Sequence, residues 1–361
     1  MTHTPYLRLL LTLLSLQGAS LAQNQFLFGN SILNSLQSIT ESTIPSNGDV
    51  NPYGVAFVPS GFPGGGKTAA GDVLVSNFNN NGTGNVEGTG SSIVSISPTG
   101  QQSLFATSTP IGLDTALGVL SRGFVIVGNL PASGGVPVNG ASIQIFDRNG
   151  NLVSTLTDST FLDSPWDLTI NDQGSEAQVF VSNVLSGTVT RLDLNVGSTA
   201  VTVAHKTRIA SGYKAQLITA VVAVGPTGLA YDPNREVLYV ASTDDNAIFA
   251  IGDAGGRTSD AGKGSIVFDD QTHLHGPLGL VLAPNGNLIT ANGDAVNVGG
   301  TPNDLVEFTP QGILVATYQL DGGTLGAAFG IASTFSQGAV RFAAVDDDLN
   351  TVTVWTLHSL F

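Results

Sequence analysis

The sequence predicts an all-β chain, a six-bladed β-propeller of four-stranded antiparallel blades whose last blade is closed by an N-terminal strand. Three observations carry this reading. Short apolar runs bounded by Gly and turn residues fill the chain, with no helical period between them. One strand start recurs, as NPYGVAF (51–57), SPWDLTI (164–170), GPTGLAY (225–231), GPLGLVL (276–282) and AAFGIAS (327–333). Each copy leads to a second strand with a polar end, at Asn77, Asn183, Thr243, Asn292 and Asp346. A weaker copy, TALGVLSRGFVIVGN (115–129), aligns without gaps to LGLVLAPNGNLITAN (278–292) and adds Asn129. The equivalent positions 54, 116, 167, 228, 279 and 330 are then separated by 62, 51, 61, 51 and 51 residues. A fixed period of this kind is the signature of a repeat architecture.

Taken in order, residues 1–22 read as a signal peptide. One Arg precedes the apolar run LLLTLLSLQGASLA, and small residues at Ser20 and Ala22 suit cleavage before Gln23. The mature chain, 23–361, is expected to be one domain exported to the periplasm or beyond, and no transmembrane segment is expected, because no later run approaches ~18 apolar residues. NSLQSIT (34–40) has a strand pattern, and the sixth unit holds only three strands, so 34–40 is expected to supply the fourth. The blades should fall near 51–107, 111–158, 164–213, 225–270, 276–321 and 326–361. Their length differences sit in Gly-rich loops.

Composition narrows the function. The formal charge is −15, and −16 without Arg8 of the signal peptide, so binding to nucleic acid is not expected. The chain has no Cys, which excludes disulfides, thiol chemistry and Cys-built zinc sites. GFPGGGKT (61–68) matches the phosphate-cradling string G-x-x-x-x-G-K-T. That chemistry needs a strand before the string and a helix N-terminus after it. Here AAG and the strand DVLVSN follow, so the string is expected to be an enlarged hairpin loop on the face away from the channel mouth.

The strand starts P-x-G-hydrophobic, the DPN and APNG turns at 232–234 and 283–286, and the VSN and TAN strand ends resemble the NHL-repeat group of six-bladed propellers. The resemblance spans 34–361 and is closest to exported bacterial NHL-repeat proteins of unassigned activity. Related exported propellers include gluconolactonases, with a metal held by Glu, Asn and Asp, and virginiamycin B lyases, which use His with Mg²⁺. This chain departs from the lactonase pattern, carrying Asn51 and Tyr53 where that pattern places its Glu.

In a four-strand meander, the start of the inner strand and the end of the second strand share a face. Tyr53, Trp166 and Phe329 are therefore expected at the channel mouth, beside Asn77, Asn129, Asn183, Asn292 and Asp346. Aromatic area with orienting amides suits a ligand. The same Asn residues also suit turn capping repeated in every blade, and the aromatics suit a core plug. His273 and His275, in THLHGP, and Asp346, in DDD, are the candidate metal ligands. No cofactor is expected, and a divalent cation, Ca²⁺ or Mg²⁺, is the candidate these residues offer. The leading expectation is a monomeric, non-catalytic propeller that binds a small molecule, glycan or protein partner on the mouth face. The alternative is a metal-assisted hydrolase or lyase on the same face, with His275, Asn183, Asn292 and Asp346 as ligands or orienters. Asn81-Gly82-Thr83 is a glycosylation sequon, relevant in a eukaryotic secretory pathway.

Overall fold

The computed structural model describes residues 31–33, 37–218, 222–293, 304–322, 326–336 and 338–358. The assigned signal peptide, residues 34–36 of the expected closing strand and most of the loop 293–303 lie outside the described residues. Six four-stranded antiparallel sheets form a six-bladed β-propeller. Blade one contains Asp49–Phe57, Val73–Asn80, Ser92–Ile96 and Gln102–Thr107, running from the inside outward. Blade two contains Gly112–Leu120, Phe124–Ser133, Ser142–Asp147 and Leu152–Leu156, and blade three Pro165–Asp172, Glu176–Asn183, Thr188–Val196 and Val201–Ser211. Blade four contains Pro226–Asp232, Val237–Ser242, Ala247–Ile251 and Ser265–Phe268. Blade five contains Pro277–Leu282, Leu288–Asn292, Leu305–Phe308 and Leu314–Tyr318.

Blade six joins Ala328–Ser336, Ala339–Asp346 and Thr351–His358 to the N-terminal strand Gln37–Ser42. The N-terminal strand pairs from Gln37 opposite Thr356 to Ser42 opposite Thr351. It therefore runs two residues past the expected end at Thr40. Just before it, Ile32 and Leu33 are buried between blades five and six, and Ser31 Oγ donates to Glu307 Oε2 at 2.6 Å.

Both faces of each blade pack on neighbours, so the strands carry near-continuous apolar runs instead of strict alternation. Six apolar clusters result among the described residues, one at each seam. At the seam of blades four and five, Phe268 stacks on Phe308 with ring centres 4.5 Å apart.

Every inner strand has a register shift near its start: between Pro52 and Val55, Asp114 and Leu117, Pro165 and Asp167, Pro226 and Leu229, Pro277 and Leu280, and Ala328 and Ile331. A bulge bends a strand and re-aims the side chain beside it. Here it turns the residue before each repeat position toward the axis. The Gly that follows meets the backbone of the next blade. A Cβ on Gly54 would lie 2.4 Å from Thr115 O, on Gly228 2.2 Å from Leu278 O, on Gly279 2.6 Å from Phe329 O and on Gly330 1.7 Å from Tyr53 O. The recurring Gly is thus a requirement of close approach between inner strands. In blade two, Ala116 takes that position, with Gly128 beside it in place of a side chain.

The GFPGGGKT loop joins the first two strands of blade one and crosses to blade two. Lys67 N donates to Arg148 O at 2.9 Å and Lys67 Nζ to Phe105 O at 3.2 Å. Thr68 is buried, with its hydroxyl against Asp72 and Ser95. No helix follows it.

Candidate functional site

The bulges bring Tyr53, Trp166 and Phe329 together on the propeller axis, from blades one, three and six. The Tyr53 ring centre is 5.7 Å from Trp166, 5.2 Å from Phe329 and 5.7 Å from Phe78. Trp166 Nε1 donates to Tyr53 Oη at 2.7 Å. The three side chains are 5%, 4% and 8% exposed, and they pack with Leu278 in the apolar cluster at the axis. The arrangement is a plug held by edge-on and tilted aromatic contacts and one buried hydrogen bond. Burial pushes the Tyr53 hydroxyl far above its ordinary range, with Asp167 and Asp347 adding to the effect.

The Asn side chains share a different geometry. Asn129 Nδ2 donates to Pro110 O at 3.1 Å, Asn183 Nδ2 to Phe161 O at 3.1 Å and Asn292 Nδ2 to His273 O at 2.9 Å. Those carbonyls stand six positions before the repeat positions 116, 167 and 279. Asn77 Nδ2 donates likewise to Thr43 O at 2.9 Å, in the longer loop leading into blade one. Each amide therefore ties the end of its own second strand to the loop leading into its own blade. All four are buried. Asp346, the blade-six counterpart, accepts from Leu349 N at 2.9 Å. Burial pushes its carboxyl up to about 6, helped by nearby Asp321, Asp348 and Asp304.

His273 and His275 lie in the loop into blade five. His273 Nδ1 is 2.6 Å from Asp270 Oδ2, and His275 Nε2 is 3.2 Å from Thr272 O. Among the described residues, no three His, Asp or Glu side chains form a group with metal-binding geometry.

One channel residue was not singled out by the sequence reading. Asp167 occupies the repeat position that is Gly or Ala in the other five blades, and that departure was the available signal. Its Oδ2 accepts from Leu229 N of blade four at 3.3 Å, and burial pushes its carboxyl up to about 7. Ser182 Oγ donates to Thr227 O of blade four at 2.7 Å, as Ser76 Oγ donates to Asp114 O of blade two, so side-chain hydrogen bonds accompany the inner-strand approach at both seams.

Neither a family model nor a curated protein sequence matches this chain. Solved propellers do match in fold. A gluconolactonase from Xanthomonas campestris aligns with a TM-score of 0.57 and 14% identity over 90% of both chains. A protein of unknown function from Bacteroides thetaiotaomicron aligns with a TM-score of 0.55 and 12% identity, over 88% of this chain and 76% of its own. A catalytically inactive virginiamycin B lyase from Staphylococcus aureus, solved with quinupristin, gives 0.51 and 13%, over 89% of this chain and all of its own. At these identities the likeness concerns the fold alone.

Proposed function

We propose that this chain is a non-catalytic propeller of the NHL-repeat type, exported by its first 22 residues, that binds a protein partner on its mouth face. The observation that carries this reading is the plug within a ring of exposed apolar side chains. Tyr53, Trp166 and Phe329 fill the axis, and the Asn amides are engaged by the chain's own loops. Around them, Ile44, Ile111, Val136, Val138, Leu217 and Leu349 are each more than a third exposed. The strand connectivity places all six in the connections on the mouth side, Val136 and Leu217 within the short strands Val136–Pro137 and Gln216–Ile218. Among the described residues, a filled axis with dispersed apolar side chains around it suits a broad protein surface better than a small molecule, which needs a concavity. Asn183, Asn292, His275 and Asp346, the residues of the hydrolase or lyase alternative, each hold a contact with nearby backbone.

The test is cross-linking of the full-length protein in its native host's extracytoplasmic fraction, followed by retention on the purified wild type and on an Ile111→Asp, Val136→Asp double variant. The expected result is one partner cross-linked through the mouth loops and retained at least about tenfold less by the variant, at unchanged melting temperature. Equal retention by both proteins would overturn the reading.

A further inference from the structure

A groove of about 560 Å³ opens at the seam where blade six meets blade one, on the side away from the mouth. The seam of blades one and two is filled by Phe105 and Phe146, and that of blades four and five by the Phe268–Phe308 stack. At the closing seam, Ala70, Gly71 and Ala339 leave space instead.

Arg341 lines this space. Its Nη1 donates to Gly71 O, and its guanidinium carbon lies 4.8 Å from the centre of the Phe57 ring. Among the described residues, no carboxylate comes within ion-pair distance of it. The nearby Asp72 is already occupied, accepting from Thr68 Oγ1, Ser95 Oγ and Ala69 N. A half-buried guanidinium without a carboxylate partner is unusual in a chain of formal charge −15. Ser38, Ser336 and Thr356 add hydroxyl-bearing residues, while Ile39, Pro98 and Val354 supply apolar wall.

We infer that this groove binds a small organic monocarboxylate, with its carboxylate on Arg341 and its hydrocarbon body against Ile39, Pro98 and Val354. The volume is that of a small-molecule site. An Arg fork matches a carboxylate in shape. A single guanidinium balances one negative charge, so a phosphate dianion would be left with an uncompensated charge on a desolvated wall. The inference is independent of the mouth-face reading, because no residue is shared.

The experiment is calorimetric titration of the full-length protein with phenylacetate, cyclohexanecarboxylate and hexanoate, alongside uncharged phenylacetamide and inorganic phosphate. At least one carboxylate should bind with Kd of about 1 mM or tighter, and phenylacetamide and phosphate should bind at least about tenfold more weakly. Arg341→Gln should weaken carboxylate binding about tenfold or more. Ala339→Leu, which fills the groove and keeps the charge, should do the same. The inference is overturned if no carboxylate binds, if phenylacetamide or phosphate binds equally well, or if Ala339→Leu binds as wild type. The ligand and Ala339→Leu comparisons stand even where Arg341→Gln does not fold.

Discussion

Asp114 is a buried carboxyl with no cation beside it. The Ser108 hydroxyl and Asn129 Nδ2, the latter at 2.7 Å, donate to it. These neutral donors only partly offset its desolvation, which pushes its pKa from 3.8 to about 7. The folded state therefore holds a proton more tightly than the unfolded chain does. The resulting stability is fully present below about pH 4 and is lost as the pH rises through about 7. Asp167 and Asp346 shift the same way, to about 7 and about 6. Melting temperature should accordingly fall between pH 4 and pH 8, and Asp114→Asn should flatten part of that slope. Superimposable profiles for wild type and variant would show that Asp114 is not a source. At this scale the repeat sets Tyr53, Trp166 and Phe329 each one residue before the inner-strand repeat position, and the Asn residues at or near the ends of the second strands. It left the aromatics open between ligand face and plug, because one strand start with a bulky residue encodes both. Only the Trp166–Tyr53 hydrogen bond and the ring contacts place them in the core.

Among elements, the inner strands decide how closely the blades can stand. Gly330 lies against Tyr53 O, where a Cβ would sit 1.7 Å away. Gly330→Ala should cost about 3 kcal/mol or more, since backbone cannot yield as a side-chain tip can. Gly252 has nothing within 4 Å of its would-be Cβ, so Gly252→Ala should change stability by no more than about 0.5 kcal/mol. Urea unfolding of both variants checks the contrast, and similar losses would refute it. The P-x-G signature thus reports strand spacing, not chemistry. GFPGGGKT is similar: Gly66 lies against Arg148 O, at 2.2 Å for an added Cβ, so that glycine serves a contact between blades one and two.

For the whole molecule, stability depends on closing the ring. The strand Gln37–Ser42 covers the edge of Thr351–His358, and Thr40 Oγ1 lies 2.9 Å from Thr353 Oγ1 across that pair. Glu41→Pro, at the hydrogen-bonded position opposite Val352, introduces a ring that strains this pairing and removes a backbone donor from it. It should lower the melting temperature by several degrees, since ~1 kcal/mol moves a domain's midpoint by a few degrees. A midpoint unchanged within error would mean that closure contributes little. The proposed partner face and the groove also belong to this scale, because each is assembled from loops or strands far apart in sequence.

The sequence by itself determined the number of blades, the order of their strands and the strand that closes them. It could do so because each blade repeats a local pattern of apolar runs, turns and a close-approach glycine. Only the tertiary structure decided that the mouth is plugged, that the Asn amides tie each blade to its own leading loop, and that Arg341 faces a groove. Those outcomes depend on which side chains meet across seams, between residues as distant as Tyr53 and Trp166 or Gly71 and Arg341. A local repeat carries no record of such meetings.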